Sequence, residues 1–370
     1  MQALITFAAF LLTLCIVVCF HEFGHFLAAR LSGVKVLRFS LGFGKPILTF
    51  KSKHSATEWT LAPIPLGGYV KLLDGRDPQQ AIQESEQSHA FDAKPLWQRS
   101  LIVLAGPLAN FILAIFLLTT IYVTGVVQLP ARLQAPPSDS VAASLGIVQG
   151  DQVLAWRMQA DNDFEPVISW NALRWNVMDA ITSKEGFLLR VQDPSGRQFT
   201  AEFLPSQLPS MSSSGDPFSQ LGILPVIPPV SEYLNLKLDP LSAWLYATRR
   251  VYLISKVSLR LMAGLLTGES SLKQLGGPLS IANMAGRTAQ VGWQAYLAFL
   301  SILSISIGLL NLVPLPMLDG GQLLYDAWEL VSGKRISTSL QEQFQKVGFI
   351  LLISISLLAL FNDLQRYFSP

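Results

Sequence analysis

The sequence predicts a polytopic α-helical membrane protein with four transmembrane helices, a polar loop bearing a β-hairpin, and an inserted α+β domain. Three observations predict it. Half of the 370 residues are hydrophobic, 14% are charged and the mean hydropathy is +0.40, which leaves too little polar surface to cover a water-soluble chain. Four long apolar runs punctuate the chain. Between the second and the third lies a stretch of different character, residues 129–228, polar and rich in turn residues. The net charge of +2 provides no basic field of the kind that nucleic-acid binding uses, so no nucleic-acid partner is expected.

Residues 1–36 hold the first helix. Ala3 to Phe20 is an apolar run of about 18 residues, enough to cross the hydrocarbon core. No Lys or Arg precedes it and no small-residue cleavage site follows it, so a retained span is expected rather than a removed signal peptide. Cys15 and Cys19 lie in this run at helical spacing and read as small side chains packed in lipid; with only these two, a disulfide framework is excluded.

Residues 37–98 follow as a hairpin and loop. Val36 to Leu73 alternates apolar and polar residues and carries Gly42, Gly44, Gly67 and Gly68, as a hairpin with irregular turns would. From Glu22 to Ser100 there are ten Lys and Arg, against none before the first helix, so the positive-inside rule places this loop in the cytoplasm and both termini outside. The second helix is expected over 99–127, its early Gly106 and Pro107 being tolerated in a membrane helix. The insert, 128–228, and the next stretch, 229–292, then lie on the outer side. Leu241 to Leu266 is apolar but interrupted by Arg249, Arg250, Lys256 and Arg260. Burying four cations in hydrocarbon would cost on the order of 10 kcal/mol, so an amphipathic helix on the membrane surface or against the bundle is expected. The third span is expected over 293–321, a cytoplasmic loop over 322–346, and the fourth span with the tail over 347–370.

Within the insert, the run from Ser140 to Leu154 resembles the short helix, glycine turn and strand of bacterial PDZ domains, with a second helix expected over Ile168 to Ile181 and a closing hairpin from Gln192 to Leu204 around Pro194-Ser195-Gly196. That resemblance implies binding of extended peptides or chain ends by strand addition.

Directly after the first apolar run stands His21-Glu22-Phe23-Gly24-His25. Residues four apart share one face of a helix, so both imidazoles can reach a single metal with the glutamate beside them. Zinc suits this set, since a catalytic zinc takes three protein ligands and leaves a fourth position open. Glu22 is then the general base. The third ligand is sought at the end of the third apolar run, in Asn311-Leu-Val-Pro-Leu-Pro-Met-Leu-Asp-Gly-Gly321, where Asp319 follows two prolines that break the helix and precedes two glycines that let backbone approach closely. His54 and His89 sit in the polar loop without a matching motif.

Taken together with Leu41-Gly-Phe-Gly44, Gly67-Gly-Tyr-Val-Lys71, Ala105-Gly-Pro-Leu-Ala-Asn110, Gly276-Gly-Pro-Leu-Ser-Ile-Ala282 and Leu360-Phe-Asn-Asp363, these pieces make the chain resemble the site-2 protease family of intramembrane zinc metalloproteases over nearly its whole length. The resemblance implies that His21, His25 and Asp319 hold Zn2+, that Glu22 is the catalytic base, and that Asn311 holds substrate backbone or stabilises the oxyanion. It also implies that the hairpin dips into the membrane from the cytoplasmic face, with Tyr69, Val70 and Lys71 at an edge that holds unwound substrate. Single-span membrane proteins in the bacterial inner membrane are the implied substrates and the lipid bilayer the implied surroundings. The members of that family that this chain most resembles commonly carry two tandem PDZ domains; the space here fits one. Two other readings compete. An ion transporter would show repeated halves with matching broken helices, and none is visible; an inactive PDZ receptor is disfavoured by the intact histidine pair and a plausible third ligand.

Overall fold

The computed structural model describes residues 2–51, 57–77, 82–211, 215–269 and 276–368. The chain forms two units, Met1–Leu118 with Gly276–Pro370, and Thr119–Leu275. Among the described residues four helices are long and apolar enough to cross a membrane: α1 (Gln2–Leu31), α2 (Leu96–Thr124), and the helices numbered α8 (Trp293–Leu312) and α10 (Thr338–Phe368) below. All four expected spans are therefore present as helices.

In the first unit, α1 ends where Gly33 turns left-handed at φ 68°, with the Val34 N–H closing on the Ala29 carbonyl, an arrangement that glycine supports without strain. The polar loop then forms β1 (Val36–Phe43), β2 (Leu48–Lys51), β3 (Glu58–Leu61) and β4 (Ile64–Leu72). The expected hairpin is thus a four-stranded mixed sheet in the order β2-β3-β1-β4, with β1 and β3 parallel and β1 and β4 antiparallel. The β2–β3 hairpin folds back so that β3 slots beside β1, a long-range pairing that alternation within one strand does not encode. Phe26 of α1, Phe39 of β1 and Trp59 of β3 meet ring to ring, fastening the sheet to the helix.

Helix α7 (Pro278–Val291) and helix α9 (Asp319–Ser332) complete this unit. Asp363 of α10 accepts the N–H groups of Gly277, Leu279 and Ser280 and the Ser280 hydroxyl. It thereby caps α7 from a distant part of the chain and satisfies backbone donors that a helix start leaves open. The Gly-Gly-Pro-Leu-Ser and Phe-Asn-Asp stretches are two halves of this one contact. Helix α9 corrects two expectations. The third span ends at Leu312 rather than at residue 321, and the stretch expected as a loop from 322 carries α9, because Pro314 and Pro316 stop one helix and Asp319 starts another.

The second unit contains β5 (Val126–Gln128) paired with β10 (Leu234–Leu236), and between them the insert. This comprises α3 (Val141–Ser144), β6 (Gln152–Met158), β7 (Glu165–Pro166), α4 (Trp170–Ser183), β8 (Phe187–Gln192), β9 (Gln198–Phe203) and α5 (Pro217–Leu221), with sheet order β7-β6-β8-β9. Ser140 and Ser169 cap α3 and α4 through their hydroxyls, and Asp193 ties the β8–β9 turn to the N–H groups of Ser195 and Arg197. Leu173 and Val177 of α4 face Phe187, Leu189 and Phe203 of the sheet in one buried cluster.

The amphipathic stretch forms α6 (Pro240–Thr267), and three of its four cations, Arg250, Lys256 and Arg260, meet α4 of the insert. Lys256 and Arg260 donate to the Asp179 carboxylate of α4 at 2.9 and 2.6 Å, and Arg250 donates to Asn171 at 2.6 Å. Asp179 is 4% exposed, so removing it strands two cations against α4. Asp179→Ala is expected to loosen the α4–α6 contact by about 2 kcal/mol, measured as faster amide exchange in α4 and α6 of the full chain in detergent; unchanged exchange would show the pair to be idle.

Candidate metal centre

Helix α1 carries His21, Glu22 and His25 in its C-terminal half, and the local packing explains their placement. Gly24 lies flush against α2, where any Cβ would meet the Ala105 carbonyl oxygen at 2.2 Å. Opposite, Gly106 leaves room for the rings, since a Cβ there would stand 2.2 Å from His25 Nε2. The two glycines therefore let α1 and α2 meet around the imidazole pair. A side chain on Gly68 of β4 would come within 3.0 Å of Glu22 Cγ, so the strand also lies close against the glutamate.

The third group arrives with α9. Gly320 and Gly321 press the first turn of α9 onto the broken segment before it, a Cβ on each meeting the carbonyl oxygens of Val313 and Leu315 at 2.2 and 2.3 Å. Asp319 is the first residue of that helix, where the positive end of the helix dipole favours a carboxylate. His21 Nε2 and His25 Nε2 are 3.2 Å apart, and Asp319 Oδ2 stands 3.1 and 3.4 Å from them.

Those three atoms fit a metal. Ligands about 2 Å from one ion at tetrahedral angles stand about 3.3 Å apart, close to the spacing seen. Asp319 Oδ2 is buried and has no hydrogen-bond partner, a costly state that a cation would relieve. His25 Nδ1 is 2.9 Å from the Ile102 carbonyl, so it carries the ring proton and leaves Nε2 with a lone pair for a metal. Among the described residues this is the cluster of His, Cys, Asp and Glu side chains able to hold an ion. His89 bonds the Gly33 carbonyl and is not part of it; His54 lies outside the described residues.

A cavity of about 1010 Å³ opens onto the cluster, lined by His21, Glu22, His25 and Asp319 and also by Tyr69, Val70, Lys71 and Asn311. All eight residues singled out from the sequence therefore border one space. Arg38, Phe39 and Ser40 of β1 stand opposite Lys71, Val70 and Tyr69, and β4 is the end strand of its sheet, so its other edge has no strand partner among the described residues. The tyrosine hydroxyl accepts from Arg38 and Lys71 pairs with Asp77 at 3.4 Å. Sequence reasoning gave no individual role to Gly106 or Asn110, although their spacing of four on an apolar helix places both on one face.

Paired imidazoles on an apolar helix and an aspartate at the start of α9, with a glutamate beside them and a cavity in front, define a membrane-embedded metallopeptidase. The chain belongs to peptidase family M50, whose family model matches residues 9–355, and it is a zinc metalloprotease of the site-2 type. It is 31% identical to a putative zinc metalloprotease of Ralstonia nicotianae, with 99% of each chain covered. It is likewise 31% identical to the regulator of sigma-E protease RseP of Escherichia coli, covering 97% of this chain and 98% of that one. With the regulator of sigma E protease of Haemophilus influenzae the identity is 30%, over 99% and 100% of the two chains.

Proposed function

We propose that this enzyme cuts the membrane-spanning helix of single-span proteins in the bacterial inner membrane, with its termini in the periplasm and its active site near the cytoplasmic face. The observation that carries the reading is the cavity that brings the outer edge of β4 to the same place as His21, His25, Glu22 and Asp319. A peptide bond inside a helix is shielded, so a substrate has to be unwound before water can attack, and a free strand edge holds an extended segment by its backbone. In this reading the β4 edge at Tyr69, Val70 and Lys71 aligns the unwound segment. Glu22 takes the proton of the attacking water and returns it to the leaving amine. The Asn311 amide donates to the substrate backbone or to the oxygen that becomes negative. Bound zinc supplies Lewis-acid polarisation and lowers the pKa of its water.

Two of the relatives are named regulators of sigma E, in keeping with an anti-sigma factor as the substrate; remnant signal peptides are a further class in this proposal. The insert serves as a single PDZ-like peptide-binding or size-filtering module. The alignment with the Ralstonia protein runs over 462 positions against 370 residues here, so at least 92 positions of it face no residue of this chain, in keeping with one module in place of two. As a test, the purified chain in detergent is expected to cut a single-span substrate within its apolar segment, as located by product mass, to stop with a zinc chelator and to resume with added zinc. Cuts confined to extramembrane loops would overturn the reading.

A further inference from the structure

His25 and His21 both turn their Nδ1 atoms towards α2. The first faces the Ile102 carbonyl; the second faces the side-chain amide of Asn110 at 3.3 Å. Ile102, Gly106 and Asn110 are four residues apart in turn, so one face of α2 offers a partner, a gap for the rings, and a second partner. Asn110 is fully buried, and in the orientation shown its Nδ2 faces the imidazole while its Oδ1 has no partner.

The chemistry of the metal decides which amide atom belongs there. For His21 Nε2 to give a lone pair to zinc, Nδ1 has to carry the ring proton, and a donor facing that proton would repel it. An acceptor is required. The amide oxygen and nitrogen occupy equivalent positions, and turning the amide by half a turn puts Oδ1 against Nδ1. We propose that Asn110 is the positioning residue of His21, accepting its Nδ1–H through Oδ1 and so fixing the tautomer and ring orientation that bind zinc, as the Ile102 carbonyl does for His25. Outer partners of this kind, when removed, typically cost about 10- to 100-fold in metal affinity. The Asn110 main chain is held independently, since its carbonyl accepts the Ser304 hydroxyl at 2.8 Å, so the side chain is free to serve the ring.

The proposal rests on His21 being a zinc ligand, and that premise is checked separately by the loss of zinc in His21→Ala. The test is zinc affinity of the full chain in detergent, measured by competition with a chromogenic chelator, with the visible absorption of the cobalt-substituted protein as a report on ligand geometry and the melting temperature of the metal-free chain as a report on folding. Asn110→Leu, similar in size and without an acceptor, is expected to bind zinc about 10- to 100-fold more weakly and to shift the cobalt bands. Asn110→Asp, which can only accept when ionised, is expected to restore wild-type affinity or exceed it. Wild-type affinity and spectrum in a folded Asn110→Leu chain would overturn the proposal, as would an Asn110→Asp chain that is folded and binds as weakly as the leucine variant. Should the leucine variant fail to fold, the aspartate variant decides alone: affinity at or above wild type upholds the role and weaker binding overturns it.

Discussion

Glu22→Gln is expected to abolish peptide-bond cleavage while zinc stays near one per chain. The glutamate is not among the three converging atoms, which belong to His21, His25 and Asp319; it borders the same cavity one residue after His21. It lies close to Gly68 of β4. Glutamine keeps the shape, so neither the strand nor the ligands should move. It cannot take a proton from water. Loss of a positioned base commonly costs on the order of 10²- to 10⁴-fold, and here no other carboxylate among the residues singled out is free for the task once Asp319 holds the metal. Cleavage of a single-span substrate in detergent, together with elemental analysis of the same samples, reads both halves of this expectation. Equal cutting by the two proteins would remove Glu22 from the role of base.

Asp319→Ala is expected to lower zinc occupancy, with activity falling in step. The carboxylate provides the one anionic atom of the three, and without it two neutral imidazoles have to hold a divalent ion alone. The loss should exceed the roughly 10- to 100-fold that outer partners of metal ligands are worth. Asp319→Asn, which keeps the size and loses the charge, is expected to fall between alanine and wild type. Helix α9 should survive both changes, because its first turn is seated by Gly320 and Gly321 against the preceding carbonyls rather than by the aspartate side chain. Undiminished zinc in the alanine chain, by elemental analysis after dialysis against a weak chelator, would take Asp319 out of the ligand set.

The sequence exposed those features that are local. Two histidines four apart on an apolar helix share a face by arithmetic, and apolar runs of sufficient length declare membrane spans whatever their neighbours do. The insert was legible for a similar reason, with a glycine turn and a Pro-Ser-Gly hairpin each acting over a few residues, and its helices and strands lie close to where those signals put them. Pairings across the chain were not legible. Nothing within Glu58–Leu61 says that it will lie parallel to β1, so a sheet was read as a hairpin. The partner of two of the α6 cations was not legible either, because Asp179 lies 77 residues from Lys256 and 81 from Arg260. Helix α9 escaped notice since Pro314, Pro316 and the glycines read as the end of order, although they end one helix only to let another begin.

Helix α9 also carries a tether well away from the metal. Glu329 accepts from Arg99 of α2 at 2.7 Å and from Arg335 at 3.1 Å; burial works to raise its carboxyl, and the two guanidiniums more than offset that, holding it below the usual range. Nearer the start of the helix, Asp326 accepts the Ser100 hydroxyl of α2 at 2.8 Å. Asp319 and Glu329 are ten residues apart, about 15 Å along the axis. With both carboxylates of its middle and far turns held by α2, rolling α9 about its own axis would break both contacts. The aim of a ligand is thus set like the hand of a clock from the hub, by ion pairing on a surface the metal never touches.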